Sequence, residues 1–154
     1  KPNDKVYMLG DLTLERPKKT DTWWNWPERL QDVSVLCSRL QGKKRLLLGN
    51  HDHLVIDEYY LLGFEKVLAY RELSGLILSH IPMHPNQMVR FKGNVHGHTH
   101  GSVVTEWKNT QQAAYDNPAW NQVPDRRYVN VCVDGPGINY VPISLEDARS
   151  RVNA

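Results

Sequence analysis

Apolar residues recur along this chain in short runs, each cut off by glycine or a polar residue. "KVYMLG" (5–10) has the pattern of a buried strand bounded by turn residues. From Pro27, a favoured first-turn residue, "PERLQDVSVLCSRLQG" sets Leu30, Val33, Cys37 and Leu40 at helical spacing and stops at Gly42. "KRLLLG" (44–49) predicts a second buried strand that runs straight into "NHDH", and a short helix is expected over 54–62. "EKVLAYREL" and "GLILSH" predict two strands joined near "SG", and "GNVHGHTHG" a strand end with its loop. Residues 105–126 are polar, rich in Asn, Gln and Pro, and without periodicity; with 102–104 they read as one long loop. "RYVNVCVD" alternates with period two, placing Val129, Val131 and Val133 on one face of a half-buried strand, and "NYVPIS" predicts another short strand. "SLEDARSR" predicts a closing helix with Ser144 as N-cap and Asp147 three residues on.

The resulting order is mixed α/β with polar motifs at strand ends, and 154 residues suit a single domain spanning 1–154. A formal charge of +2 gives no electrostatic case for a nucleic-acid or membrane partner. The short basic runs "PKK" (17–19) and "KKR" (43–45) read as solvated surface. Cys37 and Cys132 sit apart in apolar sequence, as buried thiols of a reducing, cytoplasmic compartment do, although a disulfide between them stays open. No run of ~18 apolar residues is present.

Four polar groups each follow an apolar strand: Asp11 in "YMLGD", Asn50-His51-Asp52 in "LLLGNHD", His80 in "LILSH", and His98 with His100 in "HGHTH". Rigid strand ends are where binding and catalytic residues concentrate. Carboxylate, amide oxygen and imidazole together suit borderline ions such as Zn, Mn and Fe. No Cys-x-x-Cys occurs, which removes a thiolate zinc finger as the main motif.

The ordered set "GD…GNHD…H…GHTH" resembles the calcineurin-like metallophosphoesterase family, and "VYMLGDLTL", "GKKRLLLGNHD" and "NVHGHTHG" are most similar to its small bacterial and phage members. The resemblance runs over about residues 4–145. It implies a four-layer αββα sandwich of two mixed β-sheets with flanking helices and metals at the strand ends. It implies Asp11 as the carboxylate bridging two divalent ions (Mn, Fe, Zn or Ni), with Asn50, His80 and His98 on one ion and His100 on the other. His51 would stand beside the scissile phosphate and Asp52 would orient it through a hydrogen bond. The implied activity is hydrolysis of phosphomono- or diesters, nucleotides and nucleic acids among them, by a water bridging the metals. No membrane partner is implied.

One departure from the family pattern is sharp. The family opens with Asp-x-His on its first strand, both residues ligating the metal that shares His100, and no Asp-x-His occurs here. One complete and one depleted site are therefore expected, in a fold lacking its first strand. The polar start without Met suggests that a strand and helix of ~30–45 residues carrying the motif lie upstream.

The remaining candidates weigh less. His96 reads as structural, or as backing a ligand, rather than as a ligand; His53 and His84 read as a substrate rim. Trp23, Trp24 and Trp26 read as a local hydrophobic cap, with base stacking as the alternative. Trp107, Tyr115 and Trp120 in the long loop are candidates for a wall of the cleft. Two other readings stand beside the enzyme. One is an inactive metal-binding relative with a structural or interaction role. The other is a nucleic-acid-binding module built on the Trp cluster and basic loop.

Overall fold

The computed structural model describes residues 1–14, 16, 18–20, 28–109 and 120–152; Trp23, Trp24, Trp26 and Tyr115 lie outside the described residues. The first sheet is all parallel, in the order β1 (Lys5–Met8), β2 (Lys43–Leu47), β3 (Phe64–Leu68). The second is mixed, in the order β4 (Tyr70–Leu73), β5 (Leu76–Ser79), β6 (Gly93–His96), β9 (Tyr128–Asn130). There β4 is antiparallel to β5, while β5, β6 and β9 run parallel. Between them in the chain, β7 (Thr105–Asn109) and β8 (Trp120–Pro124) form a separate antiparallel ribbon.

Strand alternation on β2 divides the core. Leu46 points to the side covered by α1 (Glu28–Arg39) and α2 (Ile56–Leu61), where it packs with Leu30, Cys37, Tyr59 and Phe64. Leu47 points the other way, into a cluster with Leu76, Leu78, Val95 and Val129 of the second sheet. Ala148 of α3 (Leu145–Arg151) belongs to that same cluster. The opposite face of the second sheet carries Asn94, fully buried, whose Nδ2 donates to the Ile77 carbonyl at 2.9 Å and whose Oδ1 accepts from Met83 N at 2.8 Å. Segment 80–92, with its 3₁₀ turn at Pro85–Gln87, is thereby tied to that face. Among the described residues no helix is long and apolar enough to cross a membrane.

Several expected elements change. "EKVLAYREL" is two strands, because the chain leaves the first sheet after Leu68 and enters the second at Tyr70. The expected loop at 102–126 contains the β7–β8 ribbon, whose polar strands gave no apolar alternation to read. "RYVNVCVD" stops being a strand at Asn130, where the side-chain Oδ1 accepts from Cys132 N at 2.9 Å and turns the chain. Val133 is accordingly 61% exposed rather than buried with Val129. "NYVPIS" forms no strand, since Asn139 and Tyr140 take φ of +51° and +59°, incompatible with extended backbone. Leu40 lies past the end of α1 and is 48% exposed, so it is not a core residue of that helix. Buried Lys44 reaches that helix end instead, donating to the Cys37 carbonyl at 3.0 Å, where a cation opposes the helix dipole. The Ser144 cap is present as expected, its Oγ accepting from Asp147 N at 3.0 Å.

The turn from β8 into β9 rests on Asp125, which accepts from Arg127 Nε at 2.9 Å and from its Nη2 at 2.6 Å. Burial pushes this carboxyl up, but the side-chain and backbone donors of Arg127 outweigh it and hold the group below its ordinary range. A pKa depressed in the folded state makes the contribution complete above about pH 4 and lost as pH falls through the folded value. Asp125→Asn is therefore expected to flatten the acid limb of the stability–pH curve measured by urea unfolding. Leu47→Ala, between the sheets, should cost ~2–5 kcal/mol in the same assay. Leu40→Ala should stay within ~0.5 kcal/mol, as surface changes do.

Candidate metal centre

The loops that follow β1, β2, β5 and β6 converge at one end of the two sheets. The first two are locked together by Asp52. Its Oδ2 accepts from Asp11 N at 2.9 Å and Gly49 N at 2.8 Å, and its Oδ1 from Leu12 N at 2.9 Å. In return, Asp11 Oδ1 accepts from His51 N at 2.9 Å. This packing requires glycine at two positions. A methyl group on Gly49 would collide with the Asp11 carboxylate, and one on Gly10, whose φ is +83°, would collide with the His80 ring.

His80 is the centre of the cluster and is only 4% exposed. Its Nδ1 faces the Leu9 carbonyl at 2.7 Å, an atom that can only accept, so Nδ1 carries the proton. In the neutral ring Nε2 is then a bare lone pair. It lies 2.9 Å from Asn50 Oδ1, 3.1 Å from His98 Nδ1 and 3.3 Å from Asp11 Oδ2. The ligand-capable atoms of Asp11, His80 and His98 all lie within 4.8 Å of one another. Asp11 Oδ2 offers only lone pairs and His80 Nε2 carries no proton in this tautomer, while His98 Nδ1 donates or ligates according to its own tautomer; two nitrogens and two oxygens so placed suit a borderline divalent metal. The backbone bond to His80 Nδ1 is the outer contact that typically orients a metal-binding histidine. These residues fit the expected ion.

His100 is not in this cluster. Its ring is 74% exposed and its Nδ1 donates to Asp134 Oδ2 at 2.7 Å. That bond holds the Asp134 carboxyl below its ordinary range. The turn carrying His98 and His100, at φ of +67° and +49°, is fastened from β9 and the residues after it. Asn130 Nδ2 donates to the His100 carbonyl at 2.6 Å, and His100 N donates to Cys132 Sγ at 3.3 Å. The sequence marked Asn130 as a structural turn or ladder group and Cys132 as a buried thiol, and gave Asp134 no role. No local pattern links them to a turn some 30 residues away.

The other candidates fall into place individually. Asp52 was expected to orient the His51 ring; its oxygens are instead spent on three backbone N–H groups. The half-buried His51 ring stands edge-on to that of His53, with centroids 6.3 Å apart. His53 Nε2 accepts from Arg16 Nε at 3.0 Å. His84 was expected at the rim, but its Nδ1 accepts from Asn86 N at 3.2 Å and caps the 3₁₀ turn. His96 is 1% exposed and donates from Nδ1 to the Gly97 carbonyl at 2.8 Å. Burial pushes its pKa down, against the opposing pull of that bond, which suits a neutral structural histidine.

No family model matches the chain. It is 26% identical over 156 residues to the Gene 66 protein of Mycobacterium phage L5, a match covering 80% of this chain and 70% of that protein. Among solved structures it is similar to AQ665, a protein of unknown function from Aquifex aeolicus. That likeness has a TM-score of 0.57 at 26% identity and covers 97% of this chain and 77% of the other. Neither name carries an activity.

Asp52 touches no ligand atom of the cluster, yet its removal should disperse the ligands. Asp52→Ala strands three N–H groups and is expected to lower stability by about 2–4 kcal/mol. It should also weaken Mn²⁺ binding at least tenfold by calorimetric titration, whereas His84→Ala should leave Mn²⁺ affinity unchanged. An Asp52→Ala protein with native stability and affinity would show that the loops are held some other way.

Proposed function

We propose that the chain is a metal-dependent phosphoesterase of the calcineurin-like type, acting on phosphomono- or diesters. One observation carries this reading: the four ligand-capable atoms of Asp11, Asn50, His80 and His98 converge at the ends of strands from two sheets. Their order along the chain is that of the resemblance already drawn. The four-layer αββα arrangement belongs to the same proposal. Its support is the pair of sheets sharing one core, with α1 and α2 packed outside the first.

In this reading Asp11, Asn50, His80 and His98 hold one divalent ion, and Asp11 with His100 contributes to a second. Bound metal supplies Lewis acidity toward the phosphoryl oxygens and lowers the pKa of water. The residues of the chain do the rest. Leu9 O fixes the His80 tautomer, and Asp52 holds the two carboxyl- and amide-bearing loops in register. His51, with its backbone N–H pinned to Asp11, presents its ring to substrate and passes a proton to the leaving oxygen. Such a general acid contributes typically ~10²–10⁴-fold.

A second reading, a one-metal protein without turnover, is favoured by one observation. His100 Nδ1 is engaged by Asp134, and its ring lies outside the ligand cluster.

Hydrolysis of p-nitrophenyl phosphate and bis(p-nitrophenyl) phosphate, with Mn²⁺ content measured in parallel, tests both. Mn²⁺-dependent turnover is expected, abolished with metal binding by His80→Ala. His51→Ala should lower kcat ~10²–10⁴-fold while Mn²⁺ content stays native. Metal binding without turnover selects the second reading, and failure to bind Mn²⁺ removes both.

A further inference from the structure

We propose that the first sheet binds the phosphodiester backbone of a nucleic-acid strand at the end remote from the metal cluster. The sequence shows only a three-residue basic run there, 43–45, and Lys44 points to the α1 side. Strand register assembles something larger on the opposite face. Lys43 and Arg45 alternate onto the Leu47 side of β2. Lys5 of β1 is the direct partner of Lys43, and Lys66 of β3 is the direct partner of Arg45. Four cations from three strands thus share one face, ~4.8 Å apart between strands and ~6.6 Å apart along them.

Three features distinguish this patch from ordinary solvated surface. Among the described residues, the ion pairs go to other groups and none of the four cations has a carboxylate partner. Like charges directly opposite across strands are destabilising, and two such pairs occur side by side. Arg45 is also held in place, its Nη1 donating to Tyr7 Oη at 2.8 Å and its guanidinium lying 5.4 Å from the centre of that ring. Its Nε–H is buried without an acceptor.

A cluster of positive charges spaced by strand register matches a polymer with regularly spaced negative charge. The three lysines are exposed, and Tyr7 on the same face is half-buried, so no exposed apolar side chain of these strands is offered there to enter a bilayer. The ligand class is therefore the nucleic-acid backbone, bound through phosphates without base readout. This inference stands independently of the phosphoesterase reading, because the patch lies at the opposite strand ends from Asp11 and Asn50.

The test is fluorescence anisotropy of a labelled twenty-nucleotide oligo-dT, in EDTA, across 50–200 mM salt. Binding is expected at ~1–100 µM in low salt, with log K falling with log salt at a slope of about −3, from ~0.7 per phosphate contact. The combined Lys5→Glu, Lys43→Glu, Lys66→Glu protein should bind at least tenfold more weakly, with the slope reduced by ~2. Lys19→Glu, in the other basic run, should bind as wild type. Native melting temperature and Mn²⁺ affinity certify the triple variant. If it fails to fold, single Lys→Gln changes should each weaken binding about threefold. Undiminished binding by these variants, or tighter retention on phosphatidylserine vesicles than on the oligonucleotide, would overturn the proposal.

Discussion

The carboxylate of Asp52 is the fastening on which the site depends. Two strand-end loops forty residues apart in sequence must hold Asp11 and Asn50 side by side, and backbone loops do not do this unaided. Asp52 accepts from Gly49 within its own loop and from Asp11 and Leu12 in the other. Bonds to a charged acceptor contribute roughly 1.5–3 kcal/mol each, enough to hold Asp11 at a φ of +54° that a non-glycine residue seldom adopts. At this end His80 ties the second sheet to the first, through Leu9 O and Asn50 Oδ1.

This fastening explains where the glycines fall. Gly10 and Gly49 lie where one loop presses on the other, leaving no room for a side chain between the Asp11 carboxylate and the His80 ring. The cluster is consequently built with its ligand-capable atoms already facing one another. A binding site assembled in advance loses less ordering entropy when its ligand arrives.

The sequence was legible where a feature is local. Short apolar runs ending in glycine and a polar residue marked the strands and the four residues that converge, and a Ser-x-x-Asp spacing marked the last helix. It was illegible where a feature depends on partners distant in the chain. Nothing in "NHD" says that the aspartate accepts from backbone N–H groups rather than from its neighbouring histidine. Nothing in "CVDGPG" connects Asp134 to His100. The β7–β8 ribbon escaped because its strands are largely exposed and so carry no burial pattern, and "EKVLAYREL" looked continuous because changing sheets after Leu68 leaves its apolar spacing intact.

The three alternating histidines show how backbone geometry overrides sequence spacing. Had β6 continued, His96, His98 and His100 would line one face, as residues two apart in a strand do. The strand ends at His96, whose ring stays inside, packed edge-on to Tyr128 at 6.0 Å. Gly97 N then bonds the His80 carbonyl, and the left-handed turn at His98 swings that ring onto His80. A second left-handed residue, His100, sends the last ring outward to Asp134. One repeated residue thus meets three environments: a dry interior, a cluster of ligand-capable atoms, and an exposed carboxylate. Two left-handed backbone positions produce the difference, and the clamps from Asn130 and Cys132 are what hold the chain in them.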